Sequence, residues 1–496
     1  MRKLLLASAA ILGGTTGAFA QATPPSFFQS QGMMAMPWAG GPAPNNNNNS
    51  VGVADKGPVA TPTPGTVVIR FNGRVETEIS ANFTSGDKSS PTGSGAITGG
   101  GSFKLNPVGV SSYMRLYPGM DGMATNGLRY GATIELRENF ANPNSASANT
   151  AASSPSGYSS SETVFVRRAF VYMGSDKIGI VRIGQTDGVI GLFDNGSYSA
   201  QTWEAGIGNF NGGMMQAETA QAGVGVPFAW LAQAGAEYSN SKIVYLTPSF
   251  YGFDFGLQYA PTMGNSYSNS TGASAFNTSL CNAASATCVN TSTGNDPTRW
   301  LNQVAAGVRY QGPIGPVNFG AFAVYETAGK ESTTNGITAG GAGYVGGATA
   351  TNLLRYDNLS FVEAAMKIEV PSIGLTWSFD YIGGALNGQL AMRPTGGVAE
   401  NAILTGLVYK NGPWVFGLEA GLVNSQGQAN LAKISQRREF EVAFGGTYNV
   451  APGLALVGEF MHTERHQGNY DFVQGAVGAT RDAKGNGVMF GTVVTW

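Results

Sequence analysis

The segment that begins at Thr66 alternates between apolar and polar side chains. In TVVIRFNGRVETEISA the odd positions from Val67 to Ala81 are mostly apolar, and the even positions between them include Arg70, Asn72, Arg74, Glu76 and Glu78. A repeat of two residues is that of a β-strand whose two faces meet different environments. Strands of soluble sandwiches run to about five or six residues, whereas about nine to eleven are enough to cross a membrane. The length of this segment therefore predicts a membrane-spanning strand.

The same alternation recurs along the chain, for example in LRYGATIELREN, SFVEAAMKIEV and REFEVAFGGTYNV. Single-chain bacterial barrels have an even number of antiparallel strands. The pattern predicts about sixteen strands, near 66–81, 108–117, 127–139, 163–174, 178–185, 237–247, 253–260, 302–310, 316–326, 360–370, 373–382, 401–410, 413–423, 438–449, 454–462 and 487–496.

The connections between these strands alternate in length. Short Gly, Pro and Asn turns such as PGMDG, GSDK, KNGP and NVAPG alternate with long polar loops near 82–107, 140–162, 186–236, 261–301, 327–359, 383–400, 424–437 and 463–486. Short connections at one end and long ones at the other are typical of outer-membrane barrels. We therefore predict an all-β protein, a transmembrane antiparallel β-barrel that spans residues 66–496.

The third long loop, 186–236, shows neither a sustained period of two nor a helical stripe. Structureless segments of that length inside a compact domain are usually functional. A barrel of about sixteen strands also leaves an aqueous channel that side chains alone do not fill. We expect this loop to fold into the bore of the barrel and to constrict it.

Composition supports a membrane barrel and excludes other classes. The chain has 72 glycines and only 12% charged residues, and no apolar run after the first twenty residues reaches the roughly 18 that a spanning helix needs. The N-terminus has a basic start, an apolar stretch and Ala18-Phe19-Ala20 before Gln21, which predicts a cleaved signal peptide at 1–20. Residues 21–65 are rich in Pro, Asn and Gly and predict a flexible extension. The formal net charge of −2 does not suggest a nucleic-acid partner.

Candidate chemistry is sparse. Cys281 and Cys288 lie in one Ser/Thr/Asn-rich segment, and export favours a loop disulfide between them over a metal site. The two histidines, His462 and His466, are far from the cysteines in sequence. The G-x-G-x-x-G string at 341–346 lies in a polar loop with no helix pattern after it, so it fails as a dinucleotide motif. We predict no enzyme activity, no metal and no cofactor.

Two hairpins carry a family resemblance. NSKIVYLTPSFYGFDFGLQYA, from Asn240 to Ala260, and VRRAFVYMGSDKIGIVRIGQTD, from Val166 to Asp187, resemble hairpins of the general bacterial (Gram-negative) porins. The stretch from Phe490 to Trp496 resembles the final strand of that family, which ends on an aromatic residue. The resemblance implies a homotrimeric, water-filled barrel in outer-membrane lipid, inserted by the barrel assembly machinery, with an inward-folded third loop.

Charged residues on the polar faces are the candidate selectivity residues, because charges that line a pore set its ion preference. Early strands contribute a basic cluster of Arg70, Arg74, Arg115, Arg129, Arg137, Arg168 and Arg182. Only one of the adjacent Arg167 and Arg168 can point inward, and the sequence does not decide which. Later strands contribute an acidic wall of Glu363, Glu369, Asp380, Glu419, Glu439, Glu441 and Glu459, with Lys367 as the exception. The loop offers Asp187, Asp194, Glu204 and Glu218. The resemblance implies a transverse field at the constriction, and the alternative is that these groups are hydrated or paired on a wet wall.

Aromatic residues near strand ends predict interfacial girdles, with Tyr117, Tyr310, Tyr381, Tyr409, Trp414, Tyr448 and Trp496 as candidates. The leading functional hypothesis is a diffusion channel for small hydrophilic solutes and ions. One alternative is a channel selective for sugars or anions, in which loop aromatics form a stacking track (Phe193, Tyr198, Trp203, Phe210 and Trp230). Another is a structural or adhesive surface protein that uses the long Ser/Thr/Asn loops.

Overall fold

The computed structural model describes residues 62–89, 101–138, 164–175, 177–194, 241–262, 300–330, 357–387, 393, 395–427, 436–472 and 476–496. Their strands are β1 (Thr66–Thr84), β2 (Lys88–Ser89), β3 (Phe103–Lys104), β4 (Val108–Met123), β5 (Arg129–Glu138), β6 (Val164–Ser175), β7 (Gly179–Gln185), β8 (Ser241–Leu246), β9 (Phe253–Thr262), β10 (Trp300–Ile314), β11 (Val317–Lys330), β12 (Leu359–Val370), β13 (Leu375–Ala385), β14 (Glu400–Asn411), β15 (Trp414–Ser425), β16 (Arg437–Ala451), β17 (Leu454–His466), β18 (Tyr470–Asp471), β19 (Ala476–Val477) and β20 (Ala483–Thr495).

Sixteen of these strands form one closed antiparallel barrel in which sequence neighbours pair. β1 pairs with β4 on one side and with β20 on the other, so the first and last barrel strands close the sheet. Closure leaves no strand edge with unsatisfied backbone groups, which the interior of a bilayer requires. β2–β3 and β18–β19 are small hairpins outside the barrel sheet. The predicted all-β barrel of about sixteen strands is confirmed.

Several predicted strand boundaries were wrong, and the end of β4 was the furthest off. β4 continues to Met123 instead of ending at Tyr117, and Pro118 pairs in register with Phe71. The turn falls instead at Ala124–Leu128, where the Ala124 N–H donates to the Leu128 carbonyl. The PGMDG string suggests a turn because of its Pro and Gly content, yet Pro118 and Gly119 both pair in register with β1. β20 also begins at Ala483, four residues before the predicted start.

The barrel is apolar outside and polar inside. On the outer face, Ile69 is 84% exposed and Phe490 is 66% exposed. The inner face of β1 carries Arg74, Glu76 and Glu78, all buried. A soluble domain would show the opposite distribution. An apolar outer band of this kind is what contact with lipid requires.

The tight turns depend on glycine where the backbone is left-handed. Gly374 has φ of 67°, and a Cβ there would lie 2.1 Å from the Lys410 carbonyl oxygen. The Lys410 N–H in turn donates to the Gly374 carbonyl at 2.8 Å. Any side chain at this position would therefore break the contact between the β12–β13 turn and β14. No helix of the described residues is long and apolar enough to cross a membrane.

Candidate functional site

The chain turns into the barrel immediately after β7. A six-residue helix, α1 (Val189–Asp194), follows Gly188, although the loop sequence shows no helical stripe. Six residues are too few for a helical stripe to stand out in sequence. Only residues 186–194 of the predicted constriction loop 186–236 belong to the described part of the chain. Val189, Ile190, Leu192 and Phe193 are all buried.

Two glycines on the inner wall make room for α1. Gly256 on β9 and Gly307 on β10 pair with each other in register. A Cβ at Gly256 would lie 2.7 Å from Val189 Cγ1, and one at Gly307 would lie 3.1 Å from Phe193 Cε2. The absence of side chains at both positions forms a shallow niche for the Phe193 ring. The helix therefore lies inside the barrel, against β9 and β10.

Polar wall residues bind both ends of α1. The Val189 N–H donates to Gln258 Oε1 at 2.6 Å, and Arg309 Nη1 donates to the Leu192 carbonyl at 3.4 Å. Backbone groups at helix ends have no partner within the helix, so these side chains supply them. Arg309 is held by two hydrogen bonds to Asp254, at 2.8 and 3.1 Å, and its guanidinium lies 4.8 Å from the Phe193 ring centroid.

A buried ion triad fixes the start of the loop. Arg168 donates from Nε to Glu135 and from Nη1 to Asp187, and all three residues are at most 2% exposed. Asp187 was predicted to oppose the arginines, and the structure places it in direct contact with one of them. Arg168 is the inward member of the Arg167–Arg168 pair, and the Arg167 side chain lies outside the described residues.

Acidic side chains lie beside several arginines of the basic cluster. Arg70 Nε donates to Asp121, which also accepts the Tyr172 hydroxyl. Arg74 Nη2 lies 3.2 Å from Glu76. Arg182 is buried with its guanidinium 5.0 Å from the Phe170 ring centroid. Closely spaced buried cations need counter-charges, and the neighbouring strands provide them.

The acids beside the arginines were absent from the candidate residues. Asp121 and Glu135 alternate with the named arginines along β4 and β5, and Glu76 does so along β1. The strand alternation already placed them on the same face, so the signal was present. Arg309 and Asp254, which hold α1, were missed as well. Nothing in the sequence connects them to the loop, because that contact is made only in the folded barrel.

The remaining predicted charges divide into described and undescribed positions. Most of the described charges stand on the inside of the barrel. They are Arg115 and, at inner-face register positions, Arg129, Glu363, Glu369, Asp380, Glu419, Glu439, Glu441 and Glu459. Arg465 Nε lies 2.5 Å from Glu439. The backbone position of Arg137 is in β5, and that of Asp194 ends α1, but both side chains lie outside the described residues, as do Glu204, Glu218, Cys281 and Cys288.

Part of the inner wall is apolar, which the alternation did not predict. Buried apolar side chains occupy inner-face positions between β8 and β14, namely Val244, Phe322, Phe361, Ile382 and Leu404. Phe322 lies 6.3 Å from Phe193, ring centroid to ring centroid, so this apolar wall continues from α1.

Most predicted girdle aromatics lie on the outer face. Trp414 stacks on Phe416 at 5.7 Å and contacts Tyr448 at 4.5 Å between ring centroids, at the short-turn end. Trp496 is half exposed and lies against Gly73. The assignment of Tyr117 to a girdle was wrong, because its ring is buried on the inner face beside Arg115. Among the described residues, no group of three His, Cys, Asp or Glu side chains is arranged to hold a metal ion.

A family model described as Gram-negative porin matches residues 67–468. No curated protein sequence matches the chain. An anion-selective porin from Comamonas acidovorans is 16% identical, and the match covers 87% of this chain and 100% of that one with a TM-score of 0.48. The outer membrane channel DcaP of Acinetobacter baumannii is 11% identical over 88% of this chain and 99% of that one, with a TM-score of 0.49. A trimer form of OmpT, an outer membrane protein of Vibrio cholerae, is 12% identical over 87% and 100%, with a TM-score of 0.44.

Proposed function

Because the chain belongs to the Gram-negative porin family, we propose that this outer-membrane barrel passes small hydrophilic solutes and ions by passive diffusion through a water-filled pore. The observation that carries the proposal is the position of α1 inside the closed barrel. A segment held against the inner wall narrows the bore, which sets an upper limit on solute size. Family and fold are those of channel proteins, and no enzyme activity is proposed.

Contacts with the barrel wall hold the start of the constriction in place. Arg168 binds Asp187 where the loop leaves β7, and Gln258 and Arg309 hold the two ends of α1. These contacts join the loop to strands β6, β9 and β10, so the start of the constriction keeps a fixed distance from the wall. A fixed constriction gives a defined single-channel conductance.

Ion preference is proposed to arise from the inner-face charges. The arginines of β1 to β7 lie on one side of the barrel, and Glu363, Asp380, Glu419 and Glu441 lie on the strands β12 to β16. Charged groups lining a channel select ions by their sign. The ion pairs within the arginine cluster reduce its net field, so we expect a weak preference.

Assembly and processing follow from the family and from the sequence. We propose cleavage of the signal peptide 1–20, a flexible extension at 21–65, a homotrimer, insertion by the barrel assembly machinery, and a disulfide between Cys281 and Cys288. The loop acids Asp194, Glu204 and Glu218 are proposed to face the constriction with Asp187.

A substrate-selective channel is the second candidate. The apolar inner wall formed by Phe322, Phe361, Ile382 and Leu404 supports it, because apolar side chains in a channel favour solutes with an apolar face. An adhesive role has no support among the described residues, which include only parts of the long loops on which it would depend.

Single-channel recording in planar bilayers tests the proposal. General diffusion predicts large ohmic current steps that rise with salt concentration without saturation. Current block that depends on one solute class, at concentrations where others have no effect, supports the selective channel instead. Protein that inserts, shown by protease-protected bands, but carries no current would contradict both channel candidates.

A further inference from the structure

The outer wall has a gap where β16, β17 and β20 meet. Gly446 on β16 and Gly458 on β17 face each other in register at outward positions. Phe416 stands opposite Gly446 on β15, and Phe490 stands opposite Gly458 on β20. The row across the wall is therefore aromatic, glycine, glycine, aromatic, and the two glycines leave a hollow between the rings.

The hollow is a cavity of about 470 Å³. Its outward lining is aromatic and aliphatic, with Trp414, Phe444, Tyr448, Leu456 and Phe460 around the glycines. Because the surrounding wall faces lipid, its natural occupant is hydrocarbon. The aromatic and aliphatic lining of the cavity suits an extended acyl chain.

Basic residues stand above the cavity on the same strands. Toward the long-loop end, the outward positions carry Arg438 on β16, His462 and His466 on β17, and Lys484 on β20. Both histidines of the chain are in this group. Lys484 is six residues from Phe490, which stands opposite Gly458, or about 20 Å along the strand. Strands of outer-membrane barrels are tilted by roughly 35–45°, so this spacing is about 15 Å along the membrane normal, which is half of a bilayer's hydrocarbon core and matches a headgroup above and a tail below.

Other strands carry neutral side chains at this level. Three tyrosine hydroxyls bond to neutral partners on the next strand, each at 2.9 Å, in the pairs Tyr259–Asn302, Tyr325–Ser360 and Tyr381–Asn401. Within the described strands β9 to β14 the outer rim is therefore polar but not charged. The basic group is a local feature of β16, β17 and β20.

The basic side chains retain donors for an anion. Lys484 Nζ lies 2.8 Å from Glu464, and an ammonium has three N–H donors. Arg438 is exposed and donates from Nε to Asn424 at 3.4 Å, and a guanidinium has five donors. The outward acids Glu464 and Asp482 are already bound, to Lys484 and to His466 at 2.6 Å.

We propose that this face binds a phosphate-bearing lipid of the surrounding leaflet, with the phosphate on Arg438 and Lys484 and one acyl chain in the cavity at Gly446 and Gly458. A second copy of the chain fits less well, because the outward acids that its described strands carry at this level, Glu464 and Asp482, are engaged with Lys484 and His466. The lipid site lies on the outside of the barrel and does not depend on the proposed transport.

Native mass spectrometry of the purified protein tests the site with two probes. Dipalmitoyl phosphatidic acid and dipalmitoylglycerol have the same tails, and only the first has a phosphate. The wild type should retain phosphatidic acid roughly tenfold better than dipalmitoylglycerol, since charge-assisted hydrogen bonds go to phosphate alone. The double variant R438Q/K484Q should lose that difference, and Gly458→Leu, which fills the cavity, should reduce retention of both lipids.

Two matched controls should bind as the wild type does. Lys177→Gln removes an exposed lysine from the short turn between β6 and β7, and Ala323→Leu adds the same kind of bulk at an exposed outward position on β11. Equal retention of the two lipids by the wild type, or an effect of R438Q/K484Q no larger than that of K177Q, would overturn the proposal. If G458L leaves lipid retention intact and dissociates an oligomer, the cavity belongs to a second copy, which also overturns it. Conductance of the same samples separates the two proposals, since R438Q/K484Q should conduct normally.

Discussion

Trp496, the last residue, is joined to Gly73 of the first barrel strand by a pair of backbone hydrogen bonds. The Gly73 N–H donates to the Trp496 carbonyl at 3.2 Å, and the Trp496 N–H donates to the Gly73 carbonyl at 3.1 Å. The indole covers Gly73 so closely that a Cβ there would lie 2.5 Å from Cζ2. The seam of the barrel therefore extends to the final residue, and a glycine allows it.

Gly73→Ala should weaken this closure. The added methyl overlaps the indole, and overpacking of this kind costs about 1–3 kcal/mol. We expect a lower midpoint in urea unfolding monitored by tryptophan fluorescence. In a Trp496→Ala background monitored by circular dichroism, the same substitution should cost much less. An equal cost in both backgrounds would show that the indole is not the cause.

Arg168→Met should release the start of the constriction. It leaves Glu135 and Asp187 buried without their cation, and breaking a buried ion pair in this way costs about 3–5 kcal/mol. We expect reduced unfolding stability and noisier single-channel current than the wild type. The triple variant R168M/E135Q/D187N removes the stranded charges and should recover stability. Failure of the triple variant to recover any stability would argue against the triad as the anchor.

Gly256→Ala should displace α1 from its niche. The new methyl would meet Val189 Cγ1 at 2.7 Å and Phe193 Cζ at 3.1 Å, so the helix must move or the wall must bend, at a cost of about 1–3 kcal/mol. The change should appear as an altered conductance step with the barrel still folded. Val189→Ala removes the nearer atom, and the pair G256A/V189A should conduct closer to the wild type than G256A does.

Neutralising Arg70, Arg74, Arg115 and Arg129 with glutamine should shift the reversal potential in a salt gradient toward cation preference. Removing fixed positive charge from the inner face lowers the local anion concentration. The mirror set, Glu363, Asp380 and Glu441 to glutamine, should shift it toward anions. Arg438→Gln is the control, because this arginine lies on the outer face. If the inner-face variants show no larger shift than the control, these charges do not form the filter.

The anchors of α1 show where sequence reasoning reaches its limit. The inner-face position of Arg309 follows from alternation, and its bond to the Leu192 carbonyl does not. Arg309 and Leu192 are 117 positions apart, and the sequence between them contains no signal that they meet. The niche at Gly256 and Gly307 could not be predicted from the sequence either, because an isolated glycine in a strand can mark a bulge, a bend or a close approach by another segment.

The chain's own sequence determined its barrel. A period of two residues assigns each side chain of a strand to one of two faces, so the lipid-facing and inner residues of β1, β12 and β16 were fixed by local pattern alone. Tertiary structure decided which inner residues meet, because neighbours across the sheet depend on register. It also decided where α1 docks, since a six-residue helix has too few residues to form without tertiary packing, and the packing partners come from distant strands. The ion pairs that divide the arginine cluster, Arg70 with Asp121 and Arg168 with Glu135, depend on the register between β1 and β4 and between β5 and β6.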